Sequence, residues 1–290
     1  MKINLYWFRS KPNVGDAASY FIVKHLVASY PIQYKNPGLS FCGECKKIIV
    51  SLLKGRWPTP AFSSVLYPWE KCLMAAGSIM DRSKRNVVVW GSGFREYSSV
   101  FKGGYVYAIR GYLSRDKLPE EFVNVPVGDP ALLLPLIIDG KYPNNKQDVR
   151  SLKRPVVIPH YYDYDAVTAK LQGKYDVLDV RTDDVESFVA KLRQYDCVFS
   201  SSLHGIIIAH SFGIPALWMK CGNINSGPFK FHDYFSSVGI QLYDGLDCID
   251  VLASGDDSWK RLFADNWCKI LPGIDIKTLS DNLLASFPYK

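Results

Sequence analysis

Short, continuous apolar runs recur along this chain and alternate with segments of helical periodicity. A run that is apolar throughout, and not only at every second residue, is typical of a parallel strand covered on both faces. The predicted strands are Ile3–Phe8, Cys72–Ala76, Val87–Trp90, Tyr105–Arg110, Val123–Val127, Val156–His160, Tyr175–Val180, Cys197–Ser200 and Pro215–Met219. The predicted helices are Ala17–Tyr30, Ser114–Leu118, Asp163–Leu171, Asp183–Tyr195 and Gly205–Phe212. This order predicts an α/β protein with doubly wound, Rossmann-like parallel sheets.

The length of 290 residues exceeds the roughly 100 to 200 residues usual for one domain, and it predicts two domains that share a cleft. A polar, turn-rich stretch without periodicity, Asp139–Asp148, marks the boundary. We predict one domain over residues 1–145 and a second over residues 146–290. An amphipathic segment, Ile276–Phe287, is a candidate to pack back across the first domain.

The formal net charge of +7 suits an anionic small substrate or an anionic membrane surface. Lysine and arginine are not concentrated in blocks, which argues against a nucleic-acid partner. The seven cysteines are irregularly spaced, and the pair Cys42 and Cys45 has no second pair or nearby histidine. We therefore predict reduced thiols and no metal. Residues 1–8 lack a signal-peptide core and no apolar run is long enough to span a bilayer, so the predicted location is the cytoplasm.

The segment Lys46–Trp57 combines apolar residues with flanking cations and a terminal tryptophan. This pattern suits a helix that lies on the surface of an anionic membrane. An ordinary helix packed on the first sheet, with its lysines in water, explains the pattern equally well. A peripheral membrane contact is therefore one of two open interpretations.

The segment from Ser200 to Ala209 predicts a strand end, a hydroxyl-rich turn and a helix with His204 in its first turn. Free backbone amides and the helix dipole make this position suitable for a phosphate or carboxylate. Ser200, Ser201 and Ser202 are therefore candidate binding residues. Alternatively, the serines cap a buried helix and His204 is a polar residue of the core.

Polar residues also follow predicted strands elsewhere in both halves of the chain. Asn13, Gly15 and Asp16 come after the first strand, at the edge where open α/β sheets bind ligands. His160 and Tyr161 end another strand, and an imidazole beside aromatic rings suits stacking a sugar and bonding its hydroxyls. Packing of His160 against its tyrosine neighbours is the alternative.

Small-residue turns follow two strands of the first half, at Ala75–Ser78 and from Gly91 to Arg95. Backbone amides in such turns can approach a ligand closely, so Gly91, Ser92 and Arg95 are candidate binding residues. A tight turn from strand to helix is the alternative. Neither turn is a dinucleotide fingerprint or a Walker loop, so no nucleotide cofactor is predicted.

Arg110 ends a predicted strand and is our preferred anion clamp, because a guanidinium matches a carboxylate or phosphate with two parallel hydrogen bonds. A structural ion pair with a neighbouring carboxylate is the alternative. Ser114 caps the helix that follows, and Asp129 either orients a substrate hydroxyl or caps a helix. Lys230 belongs to a segment that could border the cleft.

These motifs stand in one order along residues 3 to 240 of the chain. They are Asn13–Asp16, the turns at Gly77 and Gly91, Arg110–Ser114, Gly128–Pro130, Ile158–Tyr161, and Ser202–Gly205 with Gly213–Pro215. Their order and spacing resemble the polysaccharide pyruvyltransferase family. The resemblance implies two Rossmann-like domains arranged as in GT-B glycosyltransferases, with the acceptor on the first domain and the donor on the second. It implies transfer of pyruvate from phosphoenolpyruvate to two hydroxyls of a sugar as a ketal, without a further cofactor. The acceptor would be a lipid-linked sugar or polysaccharide of bacterial capsule or exopolysaccharide synthesis.

Under this resemblance His204 is the leading general acid or base, and Asp16 activates or orients an acceptor hydroxyl. Arg110 and the amides of Ser200–Ser202 hold the anionic groups of the donor. Many family members have arginine where this chain has Ser202, so another cation must supply the charge. The alternatives are Arg110, Arg95, Arg9 and Lys230.

Two other functions are compatible with the sequence. A glycosyltransferase with a nucleotide-sugar donor shares the inferred architecture, although the second half has no convincing acidic residue or arginine and lysine pair for the ribose and diphosphate. A non-catalytic sugar-binding protein of an assembly complex is the other alternative.

Overall fold

A parallel sheet forms in each half of the chain. The structure is a computed structural model that describes residues 2–37, 41–57, 69–143, 152–221 and 227–289. The strands described in the first half are β1 Ile3–Tyr6, β2 Ile32–Tyr34, β3 Cys72–Met74, β4 Val87–Trp90 and β5 Tyr105–Ala108. Those described in the second half are β6 Pro155–Ile158, β7 Asp176–Val177, β8 Cys197–Ser200 and β9 Ala216–Trp218. These sheets, with their helices, confirm the α/β prediction.

The strand order is β2-β1-β3-β4-β5 in the first sheet and β7-β6-β8-β9 in the second, and all neighbouring strands are parallel. In both sheets the chain moves outward to one side from its first strand and then crosses back to the other side. The direction reverses between β1 and β3, and again between β6 and β8. Open α/β sheets bind ligands at the carboxyl ends of the strands at such switch points.

Helices connect the strands and cover the sheets. Their bounds are α1 Val14–Leu26, α2 Phe41–Leu53, α3 Tyr112–Arg115, α4 Leu134–Asp139, α5 Tyr164–Leu171, α6 Val185–Leu192, α7 Leu203–Ser211, α8 Phe229–Val238, α9 Ile249–Ser254, α10 Ser258–Asp265 and α11 Ile276–Ala285. Short 3₁₀ turns lie at Met80–Arg82, Glu120–Phe122, Pro130–Leu133 and Trp267–Lys269. No described helix is long and apolar enough to cross a membrane.

One continuous apolar core contains buried residues of both sheets, from Ile3 in β1 to Leu283 in α11. The helix α11 packs on the first half, where the Trp90 indole donates a hydrogen bond to the Leu283 carbonyl at 2.9 Å. The rings of Trp90 and Phe287 also contact each other, with centroids 4.7 Å apart. A smaller apolar cluster lies between the second sheet and α10. The predicted domain boundary falls within residues 144–151, which lie outside the described residues.

One predicted strand is absent from the structure and one observed strand was not predicted, while several others differ from their predicted bounds by one to three residues. Val123–Val127 is not a strand, because Glu120–Phe122 turns as a 3₁₀ helix and Pro126 has no amide hydrogen for a ladder. A single bridge between Ile109 and Val127 remains. The sequence analysis also missed β2, whose three residues are only partly buried at the sheet edge and so carry a weak apolar signal.

Candidate functional site

A cavity of about 410 Å³ lies where the switch points of the two sheets face each other. The first sheet contributes the segments after β1 and β3, and the second sheet contributes the segments after β6 and β8. Its lining includes Tyr6, Phe8, Lys11, Asn13, Asp16, Ser78, Asp81, Arg82, Arg95, His160, Tyr161, Tyr162, Ser202, His204 and Lys230. The volume is within the range of small-molecule sites, and both halves supply its polar groups.

The N-termini of two helices meet at this cavity. The Asn13 side chain caps α1 by accepting the Gly15 amide at 3.0 Å, and the Ser202 hydroxyl caps α7 by accepting the Gly205 amide at 3.5 Å. A Cβ atom on Gly15 would lie 2.2 Å from Nδ1 of His204, so only glycine permits this approach. Both helix dipoles therefore direct partial positive charge toward the cavity.

Four cations and two carboxyl groups line the cavity. The cations are Lys11, Arg82, Arg95 and Lys230, and the carboxyl groups are Asp16 and Asp81. Lys230 is only 9% exposed, and among the described residues no carboxylate forms an ion pair with it. Burial, with the nearby Arg110 and Arg95 guanidinium groups, lowers the pKa of Lys230 to about 8. A buried ammonium without a paired carboxylate favours an anionic ligand.

The two histidines of the cavity each have a buried ring nitrogen without a hydrogen-bond partner in the described structure, Nε2 of His204 and Nδ1 of His160. Burial lowers the pKa of His204 to about 3 and that of His160 to about 4, with further lowering by nearby cations. Both rings are therefore neutral at neutral pH. A neutral imidazole can accept a proton or a hydrogen bond from a ligand in the cavity.

Asp16 lies beside Gly15 in the first turn of α1 and faces the same cavity. Burial raises its pKa to about 7, and the carboxylate of Asp183 contributes to the shift. The carboxyl group can therefore hold a proton near neutral pH. Near neutral pH the Asp16 carboxyl can therefore give up a proton, while the neutral His204 ring has a nitrogen without a partner.

Arg110 does not line this cavity, unlike the position expected for the predicted anion clamp. Its guanidinium is fully buried and donates through Nε and Nη2 to Oδ2 of Asp233, at 2.9 and 2.8 Å. The backbone amide and the hydroxyl of Ser114 also donate to the Asp233 carboxylate, both at 2.7 Å. The remaining Nη1 and Nη2 contacts go to the Ser78 hydroxyl and the Phe94 carbonyl. The structure thus supports the alternative interpretation, a buried structural ion pair.

Two glycines of the sequence motifs leave the space in which this ion pair forms. A Cβ on Gly93 would lie 2.5 Å from the Arg110 guanidinium carbon, and a Cβ on Gly111 would lie 1.8 Å from the Asp233 carbonyl. The missing side chains let α8 approach the first sheet. Since Lys230 precedes Asp233 by about one turn of α8, the ion pair also fixes the position of Lys230.

Several other predicted binding residues are buried next to the cavity and outside its lining. Gly91 packs on Pro130, and the Ser92 hydroxyl donates to the Gly77 carbonyl at 2.8 Å. Asp129 caps the 3₁₀ turn by accepting the Ala131 amide at 2.9 Å. The Ser92 hydroxyl and one oxygen of the Asp129 carboxylate therefore bond within the protein.

The four predicted serines make different contacts. Ser202 lines the cavity and caps α7. Ser200 is buried and donates to the Ile158 carbonyl at 2.8 Å. Ser201 is buried and accepts the His160 amide at 2.8 Å, so it holds the loop that carries His160 and Tyr161. Ser114 is buried with Asp233.

Sequence reasoning missed Lys11, Ser78 and Arg82 as lining residues. Lys11 reaches across from the first half, with Nζ 5.0 and 4.9 Å from the ring centroids of Tyr161 and Tyr162. Arg82 lies in a 3₁₀ turn that has no apolar pattern. Their position shortly after β1 and β3, the strands that flank the switch point, was the sequence feature that could have indicated these lining residues. Among the described residues, no group of three or more histidine, cysteine or acidic side chains is arranged to hold a metal ion.

Comparison with known proteins assigns the chain to a family. The family model for polysaccharide pyruvyl transferase matches residues 13–223, which include Asp16, His160 and His204. The chain belongs to this family. An uncharacterized protein of Acanthamoeba polyphaga mimivirus is 28% identical over 252 residues, covering 83% of this chain and 76% of that protein. No solved structure matches the chain significantly. Family membership implies a transferase that acts on polysaccharide.

Proposed function

We propose that the protein transfers pyruvate from phosphoenolpyruvate to two hydroxyls of a sugar and forms a ketal. The observation that carries the proposal is the cavity itself: a buried, unpaired Lys230 and two helix N-termini surround unpartnered nitrogens of His204 and His160. A donor with a phosphate and a carboxylate matches this excess of positive charge.

The donor's anionic groups would bind Lys230 and Arg95, which take over from the arginine that many family members have at the position of Ser202. Lys230 is buried and Arg95 is 56% exposed, so one cation is fixed inside the cavity and one lies at its mouth. Arg9 faces a different cavity, and Arg110 is occupied by Asp233. This leaves Lys230 as the central donor contact.

Asp16 and His204 would divide the proton transfers. The Asp16 carboxyl protonates the methylene carbon of phosphoenolpyruvate, and an oxocarbenium-like centre forms at the neighbouring carbon. One sugar hydroxyl adds there and loses its proton to Nε2 of His204. The phosphate then leaves, the second hydroxyl closes the ring, and its proton departs with the phosphate. The products are a pyruvate ketal, which keeps its carboxylate, and inorganic phosphate. The raised pKa of Asp16 suits the acid, and the unprotonated, unpartnered Nε2 of His204 is open to the hydroxyl proton, which afterwards returns to Asp16 and restores both groups.

The same proposal includes a GT-B-like arrangement of two domains, residues 1–145 on the acceptor side and 146–290 on the donor side. Two parallel sheets with facing switch points support it. The acceptor would be a lipid-linked sugar or polysaccharide of bacterial capsule or exopolysaccharide synthesis, and His160 and Tyr161 would contact it. No cofactor is required, because phosphoenolpyruvate supplies the transferred group.

Incubation with phosphoenolpyruvate and a set of lipid-linked and model glycosides is expected to release phosphate and to add the mass of a pyruvate ketal to one glycoside. Mass spectrometry and a phosphate assay measure the two products. Lys230→Met is expected to lower kcat/KM for phosphoenolpyruvate by about 10- to 100-fold, since a charge-assisted contact is lost.

The matched control is Lys220→Met, at an exposed lysine outside the cavity, and it should keep the wild-type kcat/KM. Sugar transfer from a nucleotide sugar, without a ketal, would show a glycosyltransferase in place of the proposed enzyme. Absence of phosphate release with every acceptor would favour a non-catalytic sugar-binding protein.

A peripheral membrane contact through α2 is part of the proposal. Ile49 is 58% and Leu53 82% exposed on this helix, and Lys46, Lys54 and Arg56 beside them are exposed too. Exposed apolar side chains flanked by cations match the interface of an anionic membrane, where each cation contributes about 1 kcal/mol. A cytoplasmic protein bound in this way would meet a lipid-linked acceptor.

In flotation experiments the protein is expected to rise with vesicles that contain phosphatidylglycerol and to remain at the bottom with phosphatidylcholine alone. Leu53→Glu should abolish flotation, because it places a carboxylate in the apolar face. Leu242→Glu, at a position 45% exposed elsewhere, should float like the wild type. Equal flotation of both variants would exclude α2 as the membrane contact.

A further inference from the structure

A second cavity, of about 870 Å³, adjoins the first and shares Phe8 with it. Trp7, Tyr20 and Phe21 form its aromatic surface. The Asp183 side chain connects the two cavities, because Asp183 lines the second one and its Oδ1 accepts the Asn13 amide of the first at 3.3 Å. A ligand that fills both cavities would pass Phe8.

The aromatic side chains of this cavity are only partly covered by protein. Trp7, Tyr20 and Phe21 are half-buried, and Phe8 is 41% exposed. The Trp7 and Tyr20 rings lie 5.1 Å apart with their planes inclined by 30°. Partly open aromatic rings of this kind pack against the C–H face of a pyranose, and their apolar area makes such contacts favourable.

The polar groups of the second cavity balance each other in charge, unlike those of the first. The cations Arg9 and Lys24 are matched by the carboxylates Asp183 and Glu186. Arg9 also lies over the Trp7 ring, with its guanidinium carbon 5.3 Å from the centroid. Cations and carboxylates in equal number around aromatic rings can donate and accept hydrogen bonds without a net charge. Such a lining suits a neutral ligand with many hydroxyls better than an anion.

We infer that the second cavity is an acceptor subsite, which binds an uncharged sugar ring next to the sugar that receives pyruvate. The inference rests on the proposed function, since it takes the first cavity as the place of transfer. It assigns the acceptor class: a glycan of at least two sugar units, of which the unit beyond Phe8 stacks on Trp7 and Tyr20.

Binding can be measured without phosphoenolpyruvate, by saturation-transfer NMR and isothermal titration calorimetry. The probes are lactose, cellobiose, mannobiose and diacetylchitobiose, each compared with the methyl glycoside of its non-reducing sugar. At least one disaccharide is expected to bind about tenfold more tightly than its monosaccharide. Tyr20→Ala should remove this gain, whereas the matched control Tyr30→Ala, at a tyrosine outside both cavities, should retain it.

Glu186 offers a second variant that does not disturb the core, because its side chain is exposed on α6. Glu186→Ala should reduce the disaccharide gain, and Glu121→Ala, an exposed glutamate outside both cavities, should not. The subsite is disproved if no disaccharide binds better than its monosaccharide, if no saccharide binds, or if the gain survives both cavity variants. Pyruvyl transfer without a disaccharide gain overturns the subsite alone, while a disaccharide gain without transfer overturns the proposed enzyme and leaves a sugar-binding site.

Discussion

Asp233→Ala is expected to lower the free energy of unfolding by about 3 to 5 kcal/mol, because it leaves the fully buried Arg110 guanidinium without its counterion. The substitution also removes the acceptor of the Ser114 amide and hydroxyl. Urea unfolding followed by circular dichroism measures the change. We expect the loss to appear as a lower midpoint with a similar slope.

Asp250→Ala is the matched control for this experiment. Asp250 forms an ion pair with Lys170 at 2.6 Å, but its side chain is 84% exposed, so its loss should cost at most about 1 kcal/mol. A double-mutant cycle with Arg110→Met would give the coupling energy between Arg110 and Asp233. If Asp233→Ala were no more destabilising than Asp250→Ala, the ion pair would not hold α8 to the first sheet.

His204→Ala is expected to lower kcat for pyruvyl transfer by about 10² to 10⁴-fold, the usual contribution of a positioned acid or base. Its side chain lines the cavity and its buried Nε2 is free to accept a proton. The measurement is phosphate release from phosphoenolpyruvate at saturating acceptor, with the ketal product quantified by mass spectrometry.

The donor affinity of His204→Ala separates a chemical role from a structural one. The donor contacts proposed above involve Lys230 and Arg95, so the Kd of phosphoenolpyruvate should stay within about threefold of wild type while kcat falls. A parallel loss of donor binding and of the unfolding midpoint would show that His204 only packs against Gly15. Full transfer activity in the variant would remove it from the mechanism.

The sequence predicted those parts of the fold whose signals are local. β4 and β8 have the predicted bounds, since each is a continuous apolar run buried on both faces. Val123–Val127 contains three valines, yet its proline and the preceding 3₁₀ turn prevent a ladder beyond the single bridge at Val127. The edge strand β2 has only partly buried residues and so carries a weaker apolar pattern.

The residues of the candidate site likewise divide into those with a local sequence signal and those without one. His204, Asp16 and His160 could be found because parallel strands bring their carboxyl ends to one edge. Arg110 could not be assigned correctly, since its partner Asp233 lies 123 residues away and nothing local indicates the pairing. The importance of Gly15 is equally hidden, because its neighbour His204 belongs to the other half of the chain.

The contact between Gly15 and His204 joins two halves that each hold one member of the proposed acid and base pair. Asp16 belongs to α1 and His204 to α7. Gly15, which has no side chain, lets the His204 ring pack directly against the backbone of α1. Any movement that separates the halves also takes the carboxyl group away from the imidazole. In the proposed mechanism, proton donor and acceptor would therefore be assembled only while the halves touch, which would protect an activated donor from reacting with water in an open cleft.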